Sequence, residues 1–291
     1  MARVGEWLEG ARLRTLPAAI SPVLAGSAIA WHERAFNLLL AALALVVALA
    51  FQIGCNFAND YSDGIRGTDA QRVGPLRLVG SGLVKPKAVL AVALGCFGLA
   101  MVSGLAVVVV TAQWWLVLVG AACVLAAWFY TGGKHPYGYL GLGEIFVFVF
   151  FGLVAVGGTV FIQTGYLTWA TLWASITIGL FATAILVANN LRDIPSDIEA
   201  GKLTLATRLG DKWTRLGYAF SVAVAVVGVG GIALSRHCRG LAAVAGIPLA
   251  AQPVLAVLRG ATGFALVKVL KQTGLAEAVV ALGLFAGMVI P

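Results

Sequence analysis

The chain alternates between long apolar runs and short polar stretches, and this pattern predicts its architecture. The runs are continuous and lack the period-two alternation of membrane-spanning strands, so they favour helices. A helix needs about 20 apolar residues to cross a bilayer, and each run approaches or exceeds that length. We predict an all-α, single-domain bundle over residues 1–291 with nine membrane-spanning helices: Leu16–Trp31, Leu38–Phe57, Ala88–Val110, Trp114–Tyr130, Glu144–Ile162, Trp169–Asn190, Leu216–Leu234, Leu241–Leu258 and Leu275–Ile290.

The composition indicates that this bundle lies in lipid. Hydrophobic residues make up 60% of the chain and charged residues only 11%, whereas a soluble domain has about 25% charged residues. The polar start of the chain and the length of the first run predict no cleavable signal peptide. The four cysteines form no CxxC pair, so we interpret them as small buried side chains and not as a disulfide or metal set.

The net charge of +8 is explained by the distribution of basic residues. With nine spans and a cytoplasmic N-terminus, 17 of the 20 Lys and Arg residues lie on the inner side. This is the bias that the positive-inside rule describes, so no nucleic-acid partner is needed to explain the charge. We predict a multi-pass protein of the cell membrane with both acidic stretches in the cytoplasm and an external C-terminus.

Five of the twelve acidic residues lie in two short stretches, each at the end of an apolar run. The stretch NFANDYSDGIRGTD contains Asp60, Asp63 and Asp69, and the stretch NNLRDIPSD contains Asp193 and Asp197. Ionisable groups next to membrane spans indicate function more often than not. A chain this poor in charge is expected to cluster carboxylates in order to bind something.

Helical spacing places the first acids on one face. Asn56 and Asp60 are four residues apart and Asp63 follows three residues later, which on a helix brings them to one side. We predict that Gly64 and Gly67 break this helix, which would leave Asp69 in a loop.

The second stretch repeats the arrangement. Asn189, Asp193 and Asp197 are spaced i, i+4 and i+8, again on one helical face. Pro195 is expected to kink or end that helix. Because the two stretches end spans that are four apart, we predict a weak internal repeat whose two motifs, at 56–69 and 189–197, face each other on the cytoplasmic side.

A glycine-rich basic loop follows the first stretch and supplies Arg66, Arg72 and Arg77. Arginine side chains and exposed backbone N–H groups bind phosphate oxygens, while carboxylates favour a hard cation. Mg²⁺ is usually held by a few carboxylates together with substrate phosphates. The two stretches therefore predict a site for a Mg²⁺–diphosphate, and within a membrane the expected substrate is a diphosphate with an apolar tail.

The residues also carry a family resemblance. The segments NDYSDGIRGTD and NNLRDIPSD resemble the two aspartate-rich motifs of the UbiA-type intramembrane prenyltransferases. More narrowly, RLRTLPAAISPVLAGSA, RVGPLRLVGSGLV, YTGGKHPYGYLGLGEIFVFVFFG and NNLRDIPSDIEAGKLTLATRLG are similar to the branch that prenylates 1,4-dihydroxy-2-naphthoate in menaquinone biosynthesis. The resemblance covers nearly the whole chain and implies a nine-helix bundle with a central cavity under cytoplasmic cap loops.

The resemblance implies roles for individual residues. Asp60, Asp63, Asp193 and Asp197 match the residues that hold Mg²⁺, in two ions, on the diphosphate. Asp69 would be a further ligand, although it lies six residues after Asp63 instead of four.

The remaining implied positions concern the diphosphate and the acceptor. Asn56 and Asn189 match the polar residues that precede each cluster, and Lys134 with Tyr130 resembles a pair that contacts the diphosphate. The three arginines of the basic loop are expected phosphate partners. Arg14, at the mouth of the first span, is a candidate for the carboxylate of the acceptor, since an unpaired carboxylate in an apolar cavity is costly.

The resemblance further implies the reaction. A polyprenyl chain would pass from polyprenyl diphosphate to 1,4-dihydroxy-2-naphthoate with loss of CO₂ and diphosphate, giving demethylmenaquinone. The alternatives are another aromatic acceptor, a CDP-alcohol phosphotransferase and a secondary transporter. The phosphotransferase pattern fits poorly, because the acids that should lie nearby are about 130 residues away. A transporter would be expected to carry its charges near the bilayer midplane.

Overall fold

The computed structural model describes residues 3–68, 76–235 and 239–289. These residues form eleven α-helices, namely Val4–Ala11 (α1), Leu16–His32 (α2), Leu38–Arg66 (α3), Pro86–Thr111 (α4), Leu116–Phe129 (α5), Gly143–Val147 (α6), Ala155–Thr164 (α7), Trp169–Glu199 (α8), Leu205–Ser235 (α9), Ile247–Leu258 (α10) and Phe264–Val289 (α11). A π-helical segment, Phe148–Val154, joins α6 to α7. No strand occurs in the described ranges.

Seven segments are long and apolar enough to cross a membrane, when 4–32 and 143–164 are each counted as one. Two shorter apolar helices, Leu116–Phe129 and Ala243–Leu258, complete the described set. The predicted all-α membrane bundle is therefore confirmed. The prediction of nine spans corresponds to seven full-length spans and two shorter apolar segments in the described residues.

The first acidic stretch is the last part of a spanning helix. Helix α3 continues beyond the predicted end of its span to Arg66, and Gly67 caps it in the left-handed region at φ 75°. The predicted break at Gly67 is confirmed, but the predicted break at Gly64 is wrong. A side chain at Gly64 would collide with Val79, so this glycine admits the following loop close to the helix.

The second acidic stretch likewise lies within a helix. Pro195 is expected from the sequence to kink or end this helix, and helix α8 runs through it to Glu199, so the second of these alternatives is wrong. A proline removes one backbone donor from a helix, and the long helix tolerates that loss. Within the same turn, Ser196 Oγ donates to the carbonyl of Asp193 at 3.0 Å.

Two apolar clusters hold the bundle together. The larger one includes Phe181, Tyr218 and Leu284 and is formed mainly by α2, α8, α9 and α11. The smaller one includes Phe57 and Phe97 and lies among α1, α3, α4 and α5. Each helix that carries an acidic stretch packs extensively on the helix that follows it, α3 on α4 and α8 on α9.

Much apolar surface remains on the outside of the bundle. Val102 in the long helix α4 is 70% exposed, and Leu118 in the shorter apolar helix α5 is 74% exposed. Water would penalise so much exposed hydrocarbon, whereas lipid does not. The chain is therefore a multi-pass membrane protein.

The π-helical segment brings the start of α6 close to α8. Gly152 lies against the backbone of α8, where an added side chain would collide with the carbonyl of Ser175 and the Cα of Gly179. Such a close approach of two backbones requires glycine on both sides. It places the acidic residue Glu144 next to the helix that carries the second aspartate stretch.

Candidate active site

Asp63 lies in the last turn of α3 and is almost fully buried. Its Oδ1 accepts a 2.8 Å hydrogen bond from the hydroxyl of Tyr139. Its Oδ2 lies 3.6 Å from the guanidinium of Arg77. One predicted arginine is thus next to one predicted metal ligand, and a tyrosine joins them from another part of the chain.

Asp197 is connected to the same tyrosine through a lysine. Lys202, just after the end of α8, has its Nζ 3.7 Å from Asp197 Oδ1. The same Nζ lies 5.0 Å from the centre of the Tyr139 ring, within the range of a cation–π contact. The guanidinium of Arg66 lies 5.3 Å from that ring centre. Tyr139 therefore links the two aspartate stretches, which are far apart in the sequence.

Asp193 has a cationic partner from its own helix. Arg192 donates from Nε to Asp193 Oδ1 at 2.7 Å and from Nη2 to Asp193 Oδ2 at 2.8 Å. The guanidinium also donates to Asn189 Oδ1, and Asn189 in turn donates to Asp193. Both charged side chains are about 2–4% exposed, so this is a buried, charge-assisted fork.

Asp60 makes a different set of contacts. Its Oδ2 accepts from the backbone N–H of Leu78 at 2.7 Å and its Oδ1 accepts from Val79 N–H at 3.1 Å. Both carboxylate oxygens therefore hold the loop that follows the basic stretch. In this structure the Asp60 carboxylate therefore anchors that loop. This contact does not conflict with the predicted position of Asp60 near the site.

Asn56 points towards the N-terminal segment. Its amide donates to the carbonyl of Ala11 at 3.0 Å and to Thr15 Oγ1 at 3.2 Å. Arg14, which is exposed, precedes Thr15 in the same turn. Asn56 thus fixes the turn that carries the predicted acceptor residue.

Arg66 binds the loop between α5 and α6. Its guanidinium donates to the carbonyls of Thr131 and Gly133. This loop also contains Lys134, whose side chain is exposed. Arg66 therefore joins the end of α3 to the segment that the sequence predicts to contact the diphosphate.

Tyr130, just beyond the end of α5, lies close to carboxylates from three elements. Burial raises its pKa, and the neighbouring carboxylates of Glu144, Asp63 and Asp197 raise it further. Tyr139 behaves similarly, because burial and then the Asp63 carboxylate raise its pKa above the usual range. Both phenols stay protonated at neutral pH, and the hydroxyl of Tyr139 donates to Asp63.

The structure joins four predicted site residues around Tyr139, namely Asp63, Asp197, Arg66 and Arg77. Asp60, Asp193 and Asn56 contact other groups. Asp69 and Arg72 lie outside the described residues. Four further residues belong to the site although sequence reasoning did not select them for it: Tyr139, Lys202, Arg192 and Glu144. Arg192 is adjacent to Asp193 in the sequence, and Lys202 follows Asp197 by five residues. Closeness to the aspartates in the sequence could therefore have indicated these two residues. For Tyr139, the sequence contains no local signal.

The donor set fits a hard cation shared with a substrate. Asp63, Asp193 and Asp197 are buried carboxylates, and each now faces a basic side chain. No group of three or more His, Cys, Asp or Glu side chains lies at metal-binding spacing within the described ranges. A cation held here would take one or two protein carboxylates and complete its shell with phosphate oxygens, which is how Mg²⁺ is usually bound.

Comparison with protein families identifies one match. A model described as the UbiA prenyltransferase family matches residues 19–289. A 1,4-dihydroxy-2-naphthoate octaprenyltransferase of Mycobacterium tuberculosis is 49% identical over 282 residues, covering 97% of this chain and 96% of the relative. A protein of the same name from Escherichia coli is 41% identical over 217 residues, covering 72% of this chain and 70% of the relative.

Solved structures share the fold at low sequence identity. A UbiA homologue from Archaeoglobus fulgidus, solved with GPP and Mg²⁺, superposes with a TM-score of 0.71 at 13% identity and covers 98% of this chain and 100% of its own. A digeranylgeranylglyceryl phosphate synthase superposes with a TM-score of 0.64 at 18% identity and covers 99% of each chain. These likenesses concern the fold of the bundle.

Proposed function

The chain belongs to the UbiA prenyltransferase family, and from this premise we propose that it prenylates 1,4-dihydroxy-2-naphthoate. It transfers a polyprenyl chain from polyprenyl diphosphate to that acceptor, with loss of CO₂ and diphosphate, and gives the quinol form of demethylmenaquinone. The acceptor follows from relatives that carry this activity in their names, one of them 49% identical over nearly the full chain.

The observation that carries the chemistry is the junction at Tyr139. One tyrosine contacts Asp63 of the first stretch and Lys202, which pairs with Asp197 of the second. Two acidic helix ends and several basic side chains thereby surround one place at one end of the bundle. A diphosphate with its cations requires this combination of charges.

We propose that Asp63, Asp193 and Asp197 hold Mg²⁺, in two ions, on the diphosphate. Asp60 and Asp69 are further proposed ligands, with Asp60 also anchoring the loop at Leu78. When bound, Mg²⁺ neutralises the diphosphate and makes it a better leaving group. The A. fulgidus homologue was solved with GPP and Mg²⁺, which supports Mg²⁺ as the cation.

The basic and polar residues of the site are proposed to bind the diphosphate oxygens. Asn189 and Arg77 neighbour the acids directly. Tyr130 is a further proposed contact, and burial and then the Glu144 carboxylate raise its pKa. The other proposed contacts are Asn56, Arg66, Arg72 and Lys134.

The protein also controls the fate of the reactive allylic group. The C–O bond breaks with carbocation character, and the apolar bundle keeps water away from that carbon. The cationic side chains near Asp63 and Asp197 stabilise the negative charge that moves onto the leaving group. Arg14 is proposed to bind the acceptor carboxylate until it leaves as CO₂.

The proposed orientation places the N-terminus and both aspartate stretches in the cytoplasm and the C-terminus outside. The bias of the basic residues supports it. The internal repeat also remains a proposal. It is supported by the matching pairs α3 with α4 and α8 with α9, in which each motif-bearing helix packs on its successor.

A direct assay tests the function. Purified protein in lipid nanodiscs is given a polyprenyl diphosphate, Mg²⁺ and carboxyl-labelled dihydroxynaphthoate, and released diphosphate, CO₂ and prenylated product are measured. We expect the three in equal amounts. Asp197→Asn should abolish them, whereas Asp211→Asn, an exposed acid that pairs with Arg215, should not. Prenylated product that retains the label would replace this acceptor by another type of aromatic, and absence of diphosphate release would refute prenyl transfer.

A further inference from the structure

Glu144 is a buried acid of the candidate site that has no role in the proposed binding of Mg²⁺ and diphosphate. It lies in the first turn of α6 and is 7% exposed. Its Oε1 accepts a 2.9 Å hydrogen bond from the side-chain amide of Asn190 on α8. Its Oε2 is buried and accepts no hydrogen bond from any residue of 3–68, 76–235 or 239–289. A buried carboxylate oxygen without a hydrogen-bond donor is costly. A donor group of a bound ligand would remove that cost.

Glu144 also lines a groove that can hold such a donor. The groove has a volume of about 180 Å³ and a mostly apolar wall between α8 and α9, to which Val187, Leu205 and Trp213 contribute. Trp213 is 61% exposed, so the groove is open at its outer side, while the carboxyl group lies at its buried side. This volume suits a flat bicyclic ring and is too small for a polyprenyl chain. Besides Glu144, the polar lining residues are Thr183, Thr214 and Ser221, and a mostly apolar cleft with a few polar groups is typical of small-molecule sites.

The groove adjoins the aspartate stretches. Asn190, which holds Glu144, precedes Asp193 by less than one helical turn. A side chain added at Gly143, the residue before Glu144, would lie against the Tyr130 ring, and burial and then the Glu144 carboxylate raise the pKa of Tyr130. A hydroxyl donor bound to Glu144 is therefore next to the place where the allylic group is released.

We infer that Glu144 is a catalytic residue that accepts, on Oε2, the proton of the acceptor's 1-hydroxyl group. This inference rests on the proposed function, because it names the acceptor of that reaction as the donor to Glu144. Asn190 is a positioning residue in this scheme, since it holds the other carboxylate oxygen.

The step balances in atoms and charge. A bond forms between C2 of the ring and the allylic carbon, while the allylic C–O bond breaks and its electron pair leaves with the diphosphate. The 1-hydroxyl proton moves to Glu144 Oε2 and the hydroxyl becomes a ketone. The product of this step is a β-keto carboxylate, whose C2–carboxyl bond breaks readily. Its electron pair returns to the ring as an enolate, which takes the proton back from Glu144 and leaves the quinol and CO₂. Glu144 is regenerated.

The substitution Glu144→Gln tests this role, because the amide keeps the shape and the acceptor for Asn190 but cannot accept the proton. Glu277→Gln is the matched control. Glu277 is fully buried in α11, also with carboxylate oxygens that accept no hydrogen bond from the described residues, but it does not line the groove. We expect Glu144→Gln to lower kcat with dihydroxynaphthoate about 100-fold or more, as loss of a general base does. KM for the polyprenyl diphosphate should stay within about twofold in both variants.

Two acceptor ethers give a second, independent measurement on the wild-type protein. The 4-O-methyl ether retains the 1-hydroxyl group and should be prenylated, whereas the 1-O-methyl ether should not. This comparison still tests the inference if Glu144→Gln fails to fold, which its thermal unfolding midpoint will show. Glu144→Gln activity within about threefold of wild type, or equal turnover of the two ethers, overturns the inference. Absence of any product from the wild-type protein with dihydroxynaphthoate itself overturns the proposed function instead, and the two failures are therefore distinguishable.

Discussion

The hydroxyl of Tyr139 donates a 2.8 Å hydrogen bond to Oδ1 of Asp63. Its ring simultaneously lies 5.0 Å from the ammonium of Lys202, the partner of Asp197. One side chain from a short 3-10 turn thus holds the ends of α3 and α8 in register. Because both ends carry proposed ligands, the geometry of the cation site depends on a residue that need not touch the cation.

The first prediction separates the hydroxyl of Tyr139 from its ring. Tyr139→Phe removes the bond to Asp63 and keeps the ring beside Lys202, whereas Tyr139→Leu removes both. A hydrogen bond to a charged group contributes about 1.5–3 kcal/mol. We therefore expect kcat/KM for the polyprenyl diphosphate to fall about tenfold or more in Tyr139→Phe, and further in Tyr139→Leu. The Mg²⁺ concentration for half-maximal activity should rise in the same order.

Tyr166→Phe is the control for this prediction. Tyr166 also donates to a carboxylate, that of Glu33 at 2.9 Å, but on an exposed part of the bundle. Its substitution should leave both measurements unchanged. A Tyr139→Phe protein with wild-type kinetics and Mg²⁺ dependence would contradict the linking role of the hydroxyl.

The second prediction concerns metal dependence. EDTA should abolish product formation and added Mg²⁺ should restore it. Each of the single substitutions Asp63→Ala, Asp193→Ala and Asp197→Ala should remove nearly all turnover, while the protein still inserts into the membrane. The measurement is diphosphate release together with the yield of membrane-extracted protein. Full activity without metal, or wild-type rates in two of these variants, would refute the metal site.

How far the sequence predicts this protein differs between its parts. The apolar runs and both acidic stretches are local patterns, because hydropathy and helical spacing act over a few turns, and the structure agrees with them. Contacts between residues that are far apart in the sequence cannot be predicted from such local patterns. Asn56 points to Ala11, 45 residues earlier, and Tyr139 reaches Asp63 across 76 residues. The sequence predicts that Gly64 breaks the helix, whereas in the structure its missing side chain allows Val79 to pack against the helix.

The third prediction follows from the contacts of Asp60. Because its carboxylate accepts from the N–H groups of Leu78 and Val79, Asp60→Asn should loosen the loop around them. Arg77 is 8% exposed and protected in the wild-type protein. We expect trypsin to cleave after Arg77 about tenfold faster or more in Asp60→Asn, as measured by mass spectrometry of timed digests. Asp197→Asn, which alters the other stretch, should leave this cleavage rate unchanged, and equal rates in all three proteins would disprove the anchoring role.

The fourth prediction concerns the buried fork between Arg192 and Asp193. Removal of one partner of a buried ion pair costs about 3–5 kcal/mol, because the other charge is left uncompensated. Arg192→Ala should therefore lower the apparent unfolding midpoint in the absence of metal. Mg²⁺ with inorganic diphosphate should raise that midpoint more in Arg192→Ala than in the wild type, since a cation replaces the lost partner. Arg208→Ala, an exposed arginine that donates to the carbonyl of Leu203, should behave like the wild type. An unchanged midpoint in Arg192→Ala would show that the fork contributes no stability.

The last prediction concerns the carboxylate of the acceptor. That group needs a basic partner in an apolar cavity, yet a partner that holds it too tightly would oppose its departure as neutral CO₂. A single arginine at the mouth of the bundle satisfies both conditions, and Arg14 lies in the turn that Asn56 fixes through Thr15. Arg14→Ala should raise KM for dihydroxynaphthoate more than for polyprenyl diphosphate, and Lys134→Ala should do the reverse.

Arg259→Ala, which replaces another exposed arginine, is the control for this prediction. With 1,4-naphthalenediol, which lacks the carboxylate, wild type and Arg14→Ala should have equal KM values, because the interaction that Arg14 supplies is already absent. A larger KM for the diol in Arg14→Ala would mean that Arg14 acts on something other than the carboxylate.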